Sequence, residues 1–173
     1  MRLPITPANT LWRALRDEIR ASRPHGRVIV GVDGADAALI ADGLAAVFEE
    51  RDVSTFRAST SDFLLPRAQR KPHDDYDWSA FRRVLVDPFR EGWQTSATTG
   101  FQLAAYDPAR DEPAEARWLT ADGDAVLIVS GPDLGLPALA AVWDFRIGTS
   151  GPLDAVIDAT DPQHPVRLTG AAS

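Results

Sequence analysis

The chain has 173 residues, 45% hydrophobic and 25% charged, which is the composition of a globular protein with one core and excludes a disordered or fibrous chain. Eighteen basic against 25 acidic residues leave a net charge of −7, the wrong sign for a nucleic-acid or anionic-membrane partner. The lack of cysteine excludes disulfides, thiolate zinc sites and thiol catalysis; with a charged N-terminus and no apolar run of membrane length, this fits a soluble cytoplasmic protein.

Leu11, Leu15 and Ile19 recur every four residues behind Asn9-Thr10, predicting an amphipathic helix over 10–21, closed by Arg23-Pro24-His25-Gly26. The apolar, β-branched run 27–32 reads as a strand buried on both faces and stops at Asp33-Gly34. Asp36 precedes an alanine-rich helical run with Ile40, Leu44, Val47 and Phe48 on one side, which makes Asp36 a candidate N-cap. Residues 53–58 alternate as a second strand, so strand, helix and strand follow within one unit and predict a parallel α/β sheet. Residues 59–75 are polar and proline-punctuated, a long connection of the kind that carries function beside a sheet.

Asp77 can cap a helix over 78–86, closed by Asp87-Pro88. The runs 101–106 and 116–119 flank a turn-rich segment and suggest a hairpin. A third buried strand at 125–129, a short helix at 136–142, a strand at 144–147 and a last strand at 155–157 complete the chain. The expectation is a three-layer α/β/α fold with a mostly parallel sheet, a single domain over 1–173 onto which the N-terminal helix within 1–22 packs.

Several segments resemble, in order, the uridine kinase-like branch of the P-loop nucleoside kinases. Val30-Gly31-Val32-Asp33-Gly34 looks like the strand end leading into that family's phosphate loop. Ser61-Asp62-Phe63, with Pro66-Arg67 and Arg70, is similar to its Asp-Asp-Phe segment, and Tyr76-Asp77-Trp78-Ser79-Ala80-Phe81 to its next helix start. Leu85-Val86-Asp87-Pro88, Val126-Leu127-Ile128-Val129-Ser130-Gly131 and 154–162 match the segments that follow.

The departures bear on function. A phosphate loop needs glycines to curl backbone N–H groups around phosphate, a lysine for the outer phosphates and a hydroxyl for Mg²⁺. Here Gly34-Ala35-Asp36-Ala37-Ala38 stands in its place, shorter and with none of these after Gly34. A carboxylate at Asp36 would also occupy the positive helix end that phosphate uses. The sole lysine, Lys71, lies in the 59–75 connection. The resemblance puts the family's catalytic acid at Ser61 and its Mg²⁺-associated acid at Ser130. Asp62, one residue on, is the one candidate base, but neighbours on an extended segment face opposite ways. Only Gly148-Thr149-Ser150-Gly151-Pro152 spans the place of the family's lid.

The resemblance therefore implies a degenerate kinase-like protein without phosphotransferase activity, keeping a nucleoside or small-ligand pocket or serving as an interaction module. ATP and Mg²⁺ enter only under the alternative, an active nucleoside or small-molecule kinase with a rebuilt phosphate site; otherwise no cofactor is expected. On the substrate side, Asp77 would bind ribose hydroxyls or simply cap a helix. Phe63 and Tyr76 would pack on a base or be ordinary core aromatics, and Arg67 would meet an anion or be solvated. His25, His73 and His164 have no ligand spacing, and Asp74-Asp75 with Asp77 lacks a calcium-loop pattern, so no metal site is expected. A protein partner or self-association remains open.

Overall fold

The computed structural model of the chain describes residues 1–91, 100–148 and 153–168. Helix α1 (Pro7–Ser22), strand β1 (Val28–Val32), helix α2 (Ala37–Glu49) and strand β2 (Thr55–Ser59) come first. Two 3₁₀ turns (Thr60–Phe63, Arg67–Gln69) precede α3 (Trp78–Ala80), a π turn (Phe81–Val86) and α4 (Asp87–Glu91). Strands β3 (Tyr106–Asp107), β4 (Glu112–Pro113), β5 (Val126–Ser130), β6 (Phe145–Gly148), β7 (Ala155–Asp158) and β8 (Val166–Leu168) follow. Contacts divide the chain into two compact units, Met1–Arg57 with the segment from Asp124 on, and Ala58–Gly123.

In the first unit the sheet order is β2-β5-β1-β6-β7-β8. β1 pairs in parallel with β5 (Val30 opposite Ile128) and with β6 (Val30 opposite Phe145), and β6 in parallel with β7. The chain after β1 thus builds first to one side of that strand and later to the other, and such a reversal leaves a crevice outside the carboxyl end of the central strand. Every residue of β1 and β5 is buried, as their uninterrupted apolar runs require. Val28, Val30 and Val32 share one core with Val126, Ile128, Ile147, Ile157 and the apolar faces of α1 and α2.

Two glycines let aromatic rings lie against backbone. A Cβ at Gly43 in α2 would stand 2.4 Å from Nε1 of Trp12 on α1, and one at Gly31 in β1 would stand 2.8 Å from the ring of Trp143. Trp143 is anchored by its own N–H to the carbonyl of Leu134 at 2.8 Å.

The mostly parallel α/β sheet matches the expectation, with differences at the element ends. α1 starts at Pro7 rather than residue 10, because Thr6 Oγ1 accepts the N–H of Asn9 at 3.1 Å and Pro7 needs no N–H partner in the first turn. The helix predicted to close at Asp87-Pro88 continues to Glu91. Proline cannot donate to the carbonyl four residues back and crowds it. The preceding turn is widened to π spacing, and the Val84 carbonyl accepts from Gln102 N–H at 2.8 Å instead.

The hairpin exists, but its paired strands are two residues each, and all but Tyr106 of them lie inside the segment expected to be its turn; Phe101 and Leu119 form an isolated bridge further out. The helix expected over 136–142 shrinks to a 3₁₀ turn at Pro137–Leu139. β7 is not the last strand: β8 pairs antiparallel with it, Ile157 opposite Arg167, and is exposed along its length, so it lacks the apolar signal by which strands are recognised.

Candidate functional site

In the first unit the crevice side of β1 is built from Asp33 onward. Asp33 N–H donates to the Ile147 carbonyl at 2.9 Å, and Gly131 N–H to the Val32 carbonyl at 3.1 Å, so the ends of β1, β5 and β6 are tied together. The Asp33 carboxylate accepts from Nη2 of Arg146 at 2.8 Å, with both side chains 18% exposed. A Cβ at Gly148 would sit 2.1 Å from Oδ1 of Asp33, so only glycine leaves room for that carboxylate. Gly34, at φ 101°, turns the chain out of the strand, a conformation glycine adopts without a Cβ clash.

Ala37 N–H reaches the Gly34 carbonyl at 3.2 Å, and the ladder of α2 begins with Ile40 N–H on the Asp36 carbonyl at 3.0 Å. Four residues, Asp33 to Asp36, thus join β1 to α2, and they carry two carboxylates and no cation. Asp36 holds the N-cap position, but its side chain makes no capping hydrogen bond, which corrects the expectation of a carboxylate cap. Gly34, Ala35 and Ala38 are exposed and Ala37 is buried. Ser130 ends β5 almost buried, at 6% exposure.

The second unit holds the remaining candidates. Thr60–Phe63 is a 3₁₀ turn and not extended chain, so the alternation expected of Ser61 and Asp62 does not apply. Ser61 is exposed and its hydroxyl pairs with that of Ser59 at 2.8 Å. Burial pushes the Asp62 carboxyl above the usual range, and the negative charge of Asp107 adds to the shift. Thr60, which opens the same turn, is 1% exposed, with its hydroxyl unpaired among the described residues.

Phe63 is completely buried and stands edge-on to Phe81 at 5.2 Å, so its ring is core and offers no face to a base. Asp77 is a helix cap: Oδ1 accepts the N–H of Ala80 at 2.9 Å, while its own N–H donates to the Phe63 carbonyl at 2.7 Å. Tyr76 is half-buried and stacks on Trp78 at 4.7 Å and 22°. Residue identity alone did not single out Trp78, which opens α3 two residues after Tyr76. Arg67 donates through Nη2 to the Pro108 carbonyl at 3.0 Å, and its N–H donates to Asp111 Oδ1 at 2.9 Å.

Arg67 thus belongs to a lattice that sequence reasoning did not anticipate. Tyr106 Oη donates to Asp111 at 2.6 Å and accepts from Arg70 Nη2 at 2.9 Å, while Arg70 Nε holds the Leu65 carbonyl at 2.8 Å. The Tyr106 hydroxyl, then the Arg67 N–H, hold the Asp111 carboxyl below its ordinary value. The one sequence cue was the aspartate in Asp107-Pro108-Ala109-Arg110-Asp111, which adopts φ 55°. Lys71 lies in a tight turn closed by Asp74 N–H on its carbonyl at 2.9 Å, with an exposed side chain. Leu103, Ala104, Glu115, Arg117 and Leu119 line a cavity of about 390 Å³ in this unit. Among the described residues no three His, Asp or Glu side chains cluster as metal ligands. The lid replacement at 148–152 lies, beyond Gly148, outside the described residues.

A mostly parallel sheet with helices packed on it defines an α/β fold. Two solved structures share it. One, from Bacillus stearothermophilus, is named as a possible uridine kinase: TM-score 0.66, 19% identity, covering 82% of this chain and 80% of that one. The other, from Silicibacter sp. TM1040, is provisionally named a fructose transport system kinase: TM-score 0.60, 21% identity, covering 82% of this chain and 75% of that one. At such identity the likeness is one of fold. No protein-family model and no curated protein matches the chain.

Proposed function

We propose that this protein is a nucleoside or small-molecule kinase-like protein that has lost phosphoryl transfer and retains ligand or partner binding. The β1–α2 connection carries the proposal. In an active phosphate loop, curled amides and a lysine cradle the nucleotide phosphates. Here four residues span the gap, two of them acids, and the nearby cation Arg146 is already engaged by Asp33. Asp36 places another negative charge at the helix start, where an anion would otherwise be favoured. Losing even one charge-stabilising donor lowers rates by about 10² to 10³. The positions that the resemblance gives to the catalytic and Mg²⁺-associated acids are serines, Ser61 and Ser130.

Among the expected ligand-side residues, Tyr76 with its stacked partner Trp78 keeps a half-buried aromatic pair, and Asp62 keeps a carboxyl with a raised pKa. Phe63, Asp77 and Arg67 have structural partners of their own.

Thermal melts with MgATP, uridine and UMP, run beside a sensitive phosphotransfer assay, test the proposal. A ligand present at 100 times its Kd adds about 2.7 kcal/mol. The expected result is a shift with nucleoside alone, or with no nucleotide at all if the protein acts through a protein partner, and no turnover. Turnover with tight Mg²⁺-dependent ATP binding overturns it. One observation favours the alternative of a rebuilt phosphate site: Arg146 brings a guanidinium to the β1–α2 turn. Under that alternative, Arg146→Ala abolishes ATP binding.

A further inference from the structure

Away from the crevice, the first unit contains a cavity of about 360 Å³ lined by Met1, Arg2, Arg13, Arg16, Glu50 and Arg51. Four guanidinium groups therefore face one carboxylate in a protein whose net charge is −7. The N-terminal segment and the end of α2 are stapled together to make this cavity. Glu50 accepts from Arg13 Nε at 2.9 Å and Nη2 at 2.7 Å in a bidentate pair, and from the Leu3 N–H at 2.8 Å. Arg13 Nη2 also donates to the Leu3 carbonyl at 2.8 Å.

The Glu50 charge is thereby consumed. Its side chain is 8% exposed, and the Arg13 hydrogen bonds, with help from the Leu3 N–H and Arg16, hold its carboxyl at a pKa of about 2. Arg16 is 5% exposed and fixed in place, with Nη1 on the Val47 carbonyl at 3.0 Å and Nε on Asp17 at 2.8 Å. Arg2 and Arg51 differ. Both are exposed, and neither side chain has a hydrogen-bond or ion-pair partner among the described residues. Two uncommitted guanidinium groups thus stand beside two fixed ones around a recess of small-molecule size, and fields of one sign are focused in such recesses.

We propose that this cavity is a binding site for a small ligand carrying a phosphoryl dianion, with Arg2 and Arg51 as the ligand-gripping residues and Arg13, Arg16 and Glu50 as the frame that positions them. The planar fork of arginine matches the oxygen spacing of a phosphoryl group and pairs with it bidentately. A dianion meets the charge of the two uncommitted groups, which a monocarboxylate does not. The site is independent of the β1–α2 turn, so it stands whether or not the protein binds nucleotide there.

Isothermal titration of the full chain at low salt with inorganic phosphate, pyrophosphate and glycerol 3-phosphate tests this. The wild type is expected to bind at least one with a Kd below about 1 mM, more weakly as salt rises. Preference for glycerol 3-phosphate identifies a phosphate ester as the ligand class, and preference for the inorganic anions a free phosphate. Arg2→Ala/Arg51→Ala should weaken binding by roughly tenfold or more while leaving the ligand-free melting temperature unchanged, because neither side chain has an intramolecular partner. Arg51→Lys should recover part of the loss. Undiminished binding by the double variant, or no binding by the wild type to any of the three, overturns the proposal.

Discussion

At the residue scale, Asp77 and Glu50 show how one type of group serves different ends. Asp77 holds the first turn of α3 through its bond to the Ala80 N–H. Asp77→Ala should therefore lower stability by about 1 kcal/mol in denaturant titrations, and Asp77→Asn by much less, as expected of a cap. Glu50 is governed by Arg13. Its carboxyl titrates at about 2 rather than 4.5, so its stabilisation is complete above about pH 4.5 and is lost as the pH falls toward 2. Glu50→Gln should flatten the acid limb of the stability profile over that window, measured by denaturant titration at a series of pH values.

Asp62 has the opposite sign. Burial and Asp107 raise its pKa, so its neutral form favours the folded state and its contribution is lost as the pH rises through the folded value. Asp62→Asn should raise the melting temperature at pH 7 relative to the wild type. A drop would mean that the ionised carboxylate has a stabilising partner. The acidic side chains were legible in the sequence, but their environments were not, because those are set by partners such as Arg13, 37 positions from Glu50.

At the element scale, the buried strands and the apolar helix faces were readable because period and β-branching report burial directly. Their ends were not. α1 gained a turn from Thr6 and Pro7, and the helix at 78–91 ran past Pro88 because a π turn and Gln102 rearranged the hydrogen bonding around it. Glycine contacts were equally hidden. Gly43 reads as a defect in α2, yet its missing side chain leaves the room that the Trp12 indole of α1 occupies. Alanine there would gain about 1 kcal/mol of helix propensity but overpack against the indole at a cost of about 1 to 3 kcal/mol. Gly43→Ala should thus destabilise on balance in denaturant titrations, and pairing it with Trp12→Leu should recover part of the loss if the clash is the cause.

At the scale of the whole molecule, stability is unevenly distributed. β1 and β5 are buried at every position and paired to each other along their length, whereas β3 and β4 are two-residue strands and β4 is exposed. Hydrogen exchange should find the slowest amides in β1 and β5 and fast exchange in β8 and the 108–111 turn. Protection of the hairpin equal to that of β1 would contradict this picture.

Composition and pattern alone determined the fold class: runs of valine, isoleucine and leucine separated by an amphipathic helix can bury their surface only as a helix-flanked parallel sheet, wherever the partners come from. They also determined that the β1–α2 connection carries acids and no lysine, since that is covalent fact. What only the tertiary structure decided is which charges are spent. Asp33 on Arg146, Arg67 on the hairpin and Glu50 on Arg13 are pairings between residues distant in the chain, and distance in space, which sets an electrostatic energy, is not encoded in any local pattern.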